Sequence, residues 1–406
     1  MLTAMPEAVI VATSRSPIGR AFKGSLVDLR PDDLMAQILK ALLAKVPEID
    51  RTEIEDLILG NGQPAGEAGF NLARVVAVLS GLDKVPGVTV NRYCSSSLQT
   101  IRMAAHAIRA GEGDVFVAAG VETVSRFGNG NADGLPGTHN VLFAEAEARS
   151  AGRAEGGRGA WSPPVGLPDI SLAMGQTAEN VAELENVSRL EMDEYGALSQ
   201  NRAVAGVENG FFEREITPVT LPDGTVVTKD DGPRPDTTVE KLAQLKPVFR
   251  PDGRVTAGNA CPLNDGAAAV VVMSDRRASE LGLRPLARIV SSGVSALDPE
   301  IMGLGPIEAS RQALKRAGMS IDDIDLVEIN EAFAAQVLPS ARALGIPIEK
   351  LNVHGGAIAL GHPFGMTGAR IMTTLLNGLE AEDKTVGLET MCVGGGQGMA
   401  MIVERV

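Results

Sequence analysis

The feature that most constrains this chain is a pattern of strands and helices that occurs twice. In the first third, apolar runs of strand length at residues 8–12, 57–61 and 114–120 alternate with helical patterns, one opening at Pro31 and one covering residues 72–79. Alternating strands and helices predict an α/β fold in which a parallel sheet is covered by helices on both faces.

The last third of the chain repeats the first. Strand-like segments correspond in three pairs: 287–290 with 8–12, 324–330 with 54–61, and 385–390 with 117–123. A repeat on this scale indicates an internal duplication of one α/β half. Loops that follow equivalent strands should then meet at the carboxyl ends of the strands, where ligands bind in α/β proteins.

The middle of the chain has a different character. Residues 126–165 are rich in Gly, Ala, Arg and Asn and show little periodicity, and two helices (169–185 and 189–209) and a hairpin (217–228) are predicted after them. We therefore predict an insertion into the first half. The expected domains are an N-terminal α/β half (1–124 plus 264–284), an inserted loop domain (125–263) and a C-terminal α/β half (285–406).

Composition excludes several classes of protein. A chain of 406 residues needs two or three domains. Three cysteines imply a reducing compartment rather than a disulfide framework, so we expect the cytoplasm. The net charge of −14 argues against a nucleic-acid surface but allows a small anionic ligand held by local Arg and Lys. Residues 1–7 show no signal-peptide pattern, and no apolar run reaches the ~18 residues of a membrane span.

Cys94 is the first candidate for a catalytic residue. The strand-like run 88–90 precedes it, and an apolar helical pattern that ends at Gly111 follows it. A thiol at a helix N-terminus faces the positive end of the helix dipole, which should lower its pKa and make it a nucleophile. The alternative is that Cys94 is a small buried apolar side chain, as most free cysteines are.

Three further loops carry residues that could act with Cys94. They cover residues 330–333, 354–363 and 392–398. In the second of them, His362 could take a proton from the thiol. Asn330 could hold a water molecule or donate to an oxyanion, although an Asn after a strand is usually a turn residue.

The last loop offers a second thiol and a run of glycines. Cys392 could carry protons to and from a weak carbon acid, and the N–H groups from Gly394 onward could form an oxyanion hole. The alternative for the glycines is a tight turn. A zinc site is also possible in principle from Cys94, His354, His362 and Cys392. No CxxC or HxxxH spacing supports it, so we predict no metal.

Taken together, these motifs resemble the thiolase family, whose members cleave or join acyl-CoA by Claisen chemistry. The similarity covers nearly the whole chain, in this order: residues 16–19, 90–97, 174–180, 256–259 and 264–268, then the Asn330, His362 and Cys392 loops. It is strongest to the degradative 3-ketoacyl-CoA thiolases of bacterial type. The resemblance implies two duplicated α/β halves stacked in layers, an inserted loop domain that binds CoA, and a homodimer or homotetramer.

The resemblance also implies a role for each catalytic position. Cys94 attacks the 3-keto carbon as a thiolate and becomes acylated. His362 accepts its proton and then helps to stabilise the enolate oxygen, together with a water held by Asn330. The backbone N–H groups of Cys94 and Gly394 form a second oxyanion hole. Cys392 protonates the departing acetyl-CoA carbanion and then deprotonates the incoming CoA.

For coenzyme A, which acts as a substrate and not as a bound cofactor, the resemblance implies a set of binding positions. They are Met174, Arg234, Leu245, Phe249, Ala257, Ala332 and Phe333, and Met302 matches a position near the acyl pocket. The alternative for Leu245, Phe249 and Phe333 is that they form the core of the loop domain.

Two departures from the family pattern bear on the substrate. Ala173 replaces a His that is usual in short-chain biosynthetic thiolases, and Cys261-Pro262 replaces a usual Ser-Gly. The first argues for a longer or bulkier acyl group than acetoacetyl, and His354 receives no role. Three alternatives to a degradative thiolase remain: a biosynthetic acetyl-CoA acetyltransferase, a decarboxylating ketoacyl synthase, and a catalytically silent CoA- or lipid-binding relative. A ketoacyl synthase usually pairs one Cys with two His, which the thiol of Cys392 does not match.

Overall fold

A ten-stranded sheet contains strands from both halves of the chain, and a separate hairpin lies outside it. The computed structural model describes residues 6–129, 137–157 and 159–406. Its strands are β1 (Ala8–Arg15), β2 (Gly19–Arg20), β3 (Asp56–Gly60), β4 (Gly87–Val90), β5 (Val115–Thr123), β6 (Val219–Thr220), β7 (Val226–Val227), β8 (Asn264–Ser274), β9 (Ala287–Ala296), β10 (Leu326–Ile329), β11 (Val386–Val393) and β12 (Gln397–Arg405).

Helices cover the sheet on both faces. They are α1 (Pro31–Ala44), α2 (Leu72–Leu79), α3 (Ser96–Ala110), α4 (Ala144–Ala154), α5 (Met174–Leu184), α6 (Arg189–Glu208), α7 (Val239–Ala243), α8 (Asp275–Glu280), α9 (Gly305–Ala317), α10 (Ala334–Leu344), α11 (Ala357–Leu360) and α12 (Thr367–Ala381). The predicted helix 169–185 begins five residues late, because Ala173 still has extended backbone angles. Part of the predicted excursion 126–165 lies outside the described residues, and α4 lies within the rest.

Several helix ends follow sequence signals. The helix α1 opens at Pro31, where the missing N–H costs no hydrogen bond, and Asp32 lies in its first turn near the positive end of the dipole. The helix α6 opens on a capping box in which Ser188 and Glu191 satisfy each other's backbone N–H groups. These local signals explain why the helix positions were predictable.

The strand order confirms the duplication. From the centre outward, the N-terminal half contributes β1, β8, β5, β3 and β4, while the C-terminal half contributes β9, β12, β11 and β10. Corresponding neighbours run in the same relative directions in both halves. A parallel bridge between Val327 and Leu351 takes the place of β4 in the second half. The strands β1 and β9 pair antiparallel and join the halves.

The expectation of a parallel sheet was wrong, because the sheet is mixed. Pairs β3–β4, β3–β5 and β10–β11 are parallel, whereas β1–β8, β5–β8, β9–β12 and β11–β12 are antiparallel. Only three residues separate β11 from β12, and so short a connection can join only antiparallel strands. A strand buried on both faces is a continuous apolar run whether it pairs parallel or antiparallel. Its composition therefore did not reveal its direction.

The layers are stacked as the resemblance implied. Alternate residues of each strand point to opposite faces, so each half of the sheet contributes to two apolar clusters. The helices α3 and α12 share a central cluster with both halves of the sheet. The helices α1 and α2 cover the outer face of the first half, and α9 and α10 cover that of the second. The site is built where the two central helices begin.

The insertion is anchored to both halves. The helices α5 and α6 share an apolar cluster with α10. At the end of β1, the fully buried guanidinium of Arg15 pairs with Glu215 and Asp230, both at 2.8 Å. Thr374 on α12 also donates to Glu215, at 3.3 Å. A buried guanidinium is tolerated because these two carboxylates and a backbone carbonyl satisfy it.

Candidate active site

Cys94 lies at the start of the central helix α3. The strand β4 ends at Val90, and one 3₁₀ turn (Tyr93–Ser95) leads into α3. Tyr93 takes the sparsely populated left-handed conformation, with φ of 42°. The Cys94 side chain is 7% exposed. The predicted position of this thiol, between a strand and a helix N-terminus, is the one that the structure shows.

The expected lowering of the Cys94 pKa was wrong. Burial raises the pKa of the thiol to about 11, and the nearby carboxylate of Glu122 acts in the same direction. The backbone N–H groups of Gly394 and of Cys94 itself bond to the sulfur and oppose this shift. The loss of hydration outweighs them, because burial disfavours the charged form. Cys94 is therefore a neutral thiol in the resting site and needs a base to react.

His362 lies between α11 and α12, and its ring is almost fully buried. Its backbone N–H donates to Asn264 Oδ1 at 3.0 Å, and its ring packs edge-on against Phe364. Nδ1 lies 2.6 Å from Thr367 Oγ1, and Nε2 lies 3.3 Å from Asn330 Nδ2. Burial lowers the pKa of His362 to about 3, with a smaller contribution from Arg370. The imidazole is therefore neutral and can accept a proton.

The first turns of the two central helices bring the Cys94 and His362 loops together. The Ala369 N–H of α12 donates to Ser97 Oγ of α3 at 2.9 Å. A Cβ at Gly368 would lie 2.3 Å from the Leu98 backbone nitrogen. Any side chain at Gly368 would therefore push the two helices apart.

Cys392 and Gly394 reach the same place from the second half. Cys392 lies near the end of β11, which packs against the turn that carries Cys94, and it is fully buried. Burial raises the pKa of Cys392, and the nearby thiols Cys94 and Cys261 raise it further. The Gly394 N–H bonds to the Cys94 sulfur. The two thiols predicted to act together are thus neighbours, although almost 300 residues separate them.

Asn330 completes the group of predicted catalytic side chains. It follows β10, is almost fully buried, and its backbone carbonyl accepts a hydrogen bond from Gln336 at 2.6 Å. Its Nδ2 faces His362, while its Oδ1 is buried without a hydrogen-bond partner in the part of the chain that the structure describes. A buried acceptor left free in this way is suited to bind a water or a substrate group.

A cavity of about 420 Å³ opens beside Cys94. Its walls are largely apolar and include Phe143, Ala173, Met174 and Phe364, with Gly394 at the end near the thiol. Ala173, the position of the first departure, lies directly on the cavity wall. Any group attached to the sulfur of Cys94 would have this space available to it.

Comparison with known protein families identifies the fold. The family model "Thiolase, N-terminal domain" matches residues 8–276, and "Thiolase, C-terminal domain" matches residues 283–405. The chain belongs to the thiolase family. Within the described residues, no helix is both long and apolar enough to cross a membrane.

Named relatives match over their full length. The 3-ketoacyl-CoA thiolases of Aeromonas hydrophila and Idiomarina loihiensis are each 45% identical over 411 residues, which covers 99% of this chain and 100% of each relative. The dimeric peroxisomal thiolase of Saccharomyces cerevisiae superposes with a TM-score of 0.89 at 36% identity, covering 100% of this chain and 99% of that one. The acetyl-CoA acetyltransferase of Bacillus anthracis superposes with a TM-score of 0.85 at 39% identity, covering 99% of this chain and 100% of that one.

Among the positions implied for CoA, three pack together at the edge of the site. Met174 lines the cavity at the start of α5. The ring of Phe249 occupies the space where a Cβ of Gly175 would lie, 2.2 Å from the nearest ring carbon. Phe249 also packs edge-on against Phe333, at 6.2 Å between ring centres. Phe333 is 7% exposed, so the interpretation of Phe333 as a core residue fits the structure better than direct contact.

The other positions divide between surface and interior. Arg234 and Ala257 are exposed, and Leu245 is 38% exposed, so Leu245 is not part of a closed core. Arg234 forms no ion pair among the described residues, although it contributes, after Lys241, to the lowered pKa of the Asp236 carboxylate. Ala332 is buried, and its carbonyl accepts a hydrogen bond from the Cys261 N–H at 3.0 Å.

Met302, which matches a family position near the acyl pocket, lies in the buried core behind the cavity. Met302 is 1% exposed and does not line the cavity beside Cys94 in the part of the chain that is described. It belongs to the apolar cluster that also contains Cys392 and Phe333. Met302 belongs to a 3₁₀ segment that packs against α5, and its side chain therefore lies in this core. Met302 thus supports the wall of the site from behind.

Sequence reasoning missed Glu331, which holds two of the loops in place. Its buried carboxylate accepts hydrogen bonds from Tyr195, Ser199, Asn352 and the Ile358 N–H, at 2.6 to 3.0 Å. These partners lie on α6, in the His362 loop and on the segment before it. The only sequence signal was a Glu next to Asn330 at a strand end, which is also typical of a helix cap.

Glu122 has the corresponding role in the first half and was also missed. Glu122 lies near the carboxyl end of β5. Its carboxylate accepts hydrogen bonds from the N–H groups of Gly62, Gln63 and Gly365. Burial raises the pKa of Glu122 to about 7, although these hydrogen bonds oppose the shift. Glu122 therefore fixes two loops that border the cavity.

The alternative of a zinc site finds no support in the geometry. His354 stacks on Phe211 with 3.6 Å between ring centres, and neither Cys94 nor Cys392 is among its hydrogen-bond or ring partners. Among the described residues, no group of three or more His, Cys, Asp or Glu side chains is placed to hold a metal ion.

Proposed function

We propose that this protein is an acetyl-CoA C-acyltransferase that cleaves 3-ketoacyl-CoA with CoA, giving acetyl-CoA and an acyl-CoA shortened by two carbons. One observation carries the proposal: the Cys94 sulfur receives the Gly394 N–H bond beside a second thiol, Cys392. On the same cavity wall, Phe364 packs against His362, which is paired with Asn330. The names of the curated relatives, 3-ketoacyl-CoA thiolases, support the same reaction.

In the first half-reaction, Cys94 acts as the nucleophile. The high pKa of Cys94 and the low pKa of His362 disfavour a thiolate–imidazolium ion pair in the resting site. His362 Nε2 therefore takes the thiol proton only as the sulfur attacks the 3-keto carbon. The negative charge moves to the keto oxygen, which the N–H groups of Cys94 and Gly394 stabilise. Loss of one such donor from an oxyanion hole typically costs ~3–4 kcal/mol.

Cleavage of the carbon–carbon bond then develops charge on the thioester oxygen of acetyl-CoA. The proton on His362 Nε2 and a water bound to Asn330 stabilise that enolate, and the free Oδ1 of Asn330 supports such a water. Cys392 gives its proton to the carbanion, which leaves as acetyl-CoA. A thiol suits this task because its pKa lies near that of a weak carbon acid.

In the second half-reaction, Cys392 recovers its proton from the thiol of an incoming CoA. The CoA sulfur attacks the acyl group on Cys94, and the same two N–H groups hold the tetrahedral oxyanion. The Cys94 sulfur leaves and takes back the proton held on His362 Nε2. Covalent capture of the acyl group predicts ping-pong kinetics.

Coenzyme A binds to the inserted domain, residues 125–263, in this proposal. The exposed Arg234 faces the nucleotide end, while Leu245 and Ala257 offer apolar surface along its path. Phe249 and Met174 flank the pantetheine arm where it approaches Cys94. The protein acts as a homodimer or homotetramer in the cytoplasm, and the dimeric yeast thiolase supports a homo-oligomer.

Mass spectrometry of the intact protein tests the acyl intermediate. The protein is mixed with a medium-chain 3-ketoacyl-CoA in the absence of CoA, and we expect one acyl group on Cys94 and none in Cys94→Ala. Addition of CoA should release the group as acyl-CoA. An unmodified Cys94 and no loss of the 3-keto thioester would instead identify a CoA- or lipid-binding protein.

A second candidate is the biosynthetic acetyl-CoA acetyltransferase reaction, which the 39% identity to the Bacillus anthracis enzyme favours. The chemistry is the same, so only the substrate range separates the two. Ala173 on the wall of the cavity favours the longer acyl groups of the degradative reaction. Values of kcat/KM for 3-ketoacyl-CoA of increasing chain length decide between the two: a maximum at acetoacetyl-CoA would support the biosynthetic enzyme.

A further inference from the structure

Both ring nitrogens of His362 have a hydrogen-bonding neighbour. Nδ1 lies 2.6 Å from Thr367 Oγ1, and Nε2 lies 3.3 Å from Asn330 Nδ2. A neutral imidazole carries one proton, so one nitrogen must donate and the other must accept. The tautomer decides whether Nε2 has a lone pair with which to take a proton from Cys94.

The hydroxyl proton of Thr367 is already used elsewhere. Thr367 Oγ1 lies 2.7 Å from the carbonyl oxygen of Pro363, four residues earlier. Two oxygen atoms at this distance require a proton between them, and the carbonyl has none to give. The hydroxyl therefore donates to Pro363 and meets His362 with a lone pair. Nδ1 must then carry the imidazole proton.

The other side of the ring agrees with this assignment. With the proton on Nδ1, Nε2 is an acceptor, and the Nδ2 amide group of Asn330 faces it as a donor. The opposite tautomer would require Asn330 to turn its Oδ1 toward the ring. Such tautomers and amide orientations are assigned from the hydrogen-bond network, and both ends of this network give the same result.

We propose that Thr367 is a positioning residue that holds His362 with its proton on Nδ1 and its lone pair on Nε2. The inference rests on the proposed role of His362 as the proton acceptor for Cys94. Thr367 is the first residue of α12, and Ala369 in the same turn is hydrogen-bonded to Ser97 of α3, so the hydroxyl is fixed to the same framework as Cys94. The ring is thus oriented by the helix that brings the two loops together.

The neutrality of Thr367 has a chemical consequence. A carboxylate at this place would stabilise the imidazolium and make His362 a stronger base. A hydroxyl orients the ring but adds no charge. The proton that Nε2 takes from Cys94 therefore stays easy to share with the enolate oxygen later in the cycle, while the other ring proton stays on Nδ1, hydrogen-bonded to Thr367 Oγ1, throughout.

Three variants isolate this role. Thr367→Val keeps the shape of the side chain but removes the acceptor, and Thr367→Ser keeps the hydroxyl. Thr373→Val is the matched control, because Thr373 is buried in the same helix and donates to the carbonyl four residues earlier, Ala369, at 2.8 Å, as Thr367 does to Pro363. Its hydrogen bond is not to His362.

We expect Thr367→Val to lower kcat by about 10- to 100-fold with little change in KM, the loss that an unpaired buried donor produces. Thr367→Ser and Thr373→Val should stay within about threefold of the parent. Long-range ¹H–¹⁵N spectra of the protein labelled at its four histidines should show His362 protonated on Nδ1 in the parent and a mixture of tautomers in Thr367→Val.

The spectra of the unaltered protein decide the matter even if Thr367→Val does not fold. A His362 protonated on Nε2 would overturn the proposal, as would a Thr367→Val variant equal to Thr373→Val in kcat. A loss of kcat with the tautomer unchanged would also overturn it, because Thr367 would then act through structure alone. If the unaltered protein lacked acyltransferase activity, the proposed function would fail while the spectra still tested the tautomer.

Discussion

Glu328 and Glu389 lie directly opposite each other on the parallel strands β10 and β11, and both are buried. Both carboxylate oxygens of Glu389 lack a hydrogen-bond partner among the described residues. Burial raises the pKa of Glu328 to about 8, although the Arg370 guanidinium opposes the shift, and it also raises the pKa of Glu389. This pair is therefore held largely in its protonated form at neutral pH.

The first prediction follows from Glu328. Its folded-state pKa is above the unfolded value near 4.5, so the folded state binds the extra proton. Its contribution to the free energy of unfolding is complete below pH 4.5 and is lost as the pH rises toward about 8. Urea denaturation measures the free energy of unfolding at pH 5 and at pH 9. Glu328→Gln should reduce the difference between these two free energies by about 1–3 kcal/mol. The exposed Glu349→Gln should leave that difference unchanged, and an equal effect of both variants would refute the assignment.

The second prediction concerns Gly175 and Phe249. In Gly175→Ala the new methyl group would collide with the Phe249 ring and displace it from the proposed pantetheine path. We expect the KM for CoA to rise about tenfold and the free energy of unfolding to fall by about 1–3 kcal/mol. Gly159→Ala is the control, because nothing lies within 4 Å of its added Cβ. Steady-state kinetics and thermal denaturation measure both effects, and an unchanged KM would remove Phe249 from the CoA site.

The third prediction concerns the length of the acyl group. Ala173→Phe places a ring into the 420 Å³ cavity beside Cys94. An acyl chain of about eight carbons or more should fill this cavity. We expect kcat/KM for 3-ketoacyl-CoA with such chains to fall by at least ~10-fold. The value for acetoacetyl-CoA should change little, and Ala173→Ser should resemble the parent. Equal losses for short and long substrates would show that the acyl chain takes another path.

The fourth prediction separates the two thiols near Cys94. If Cys392 moves protons to and from the α-carbon, Cys392→Ala should slow the exchange of the acetyl-CoA methyl protons with D2O by about 10²- to 10⁴-fold. Cys261→Ala should exchange like the parent, since Cys261 is close enough to perturb the pKa of Cys392 but has no proposed proton role. Proton NMR of acetyl-CoA follows the exchange. Unchanged exchange in Cys392→Ala would assign the proton to another group.

The fifth prediction concerns the resting thiol. Since the pKa of Cys94 is about 11, its thiolate fraction, and with it the rate of alkylation by chloroacetamide, should rise about tenfold per pH unit from pH 7 to pH 10. Peptide mass spectrometry locates the label on Cys94. A rate that levels off below pH 8 would show that the helix dipole prevails over burial in the free protein.

The sequence by itself determined the parts of the fold that depend on local pattern. The helix α2 covers the predicted residues, and Pro31 and Gly111 lie at the predicted helix ends, because periodicity and capping act within a few residues. The motif order was also sufficient to identify the family. Candidate residues on three of the four loops were found because those loops follow strand-like segments, at 88–90, 324–330 and 385–390.

The tertiary structure alone decided the directions of the strands and the ionisation of Cys94. Strand direction depends on pairing with distant segments, and an apolar run is compatible with either direction. The pKa of Cys94 is set by burial under both halves of the chain, which no local motif reports. The partners of His362 follow the same rule: Thr367 and Asn330 were in view in the sequence, but only the folded chain shows which ring nitrogen each one meets.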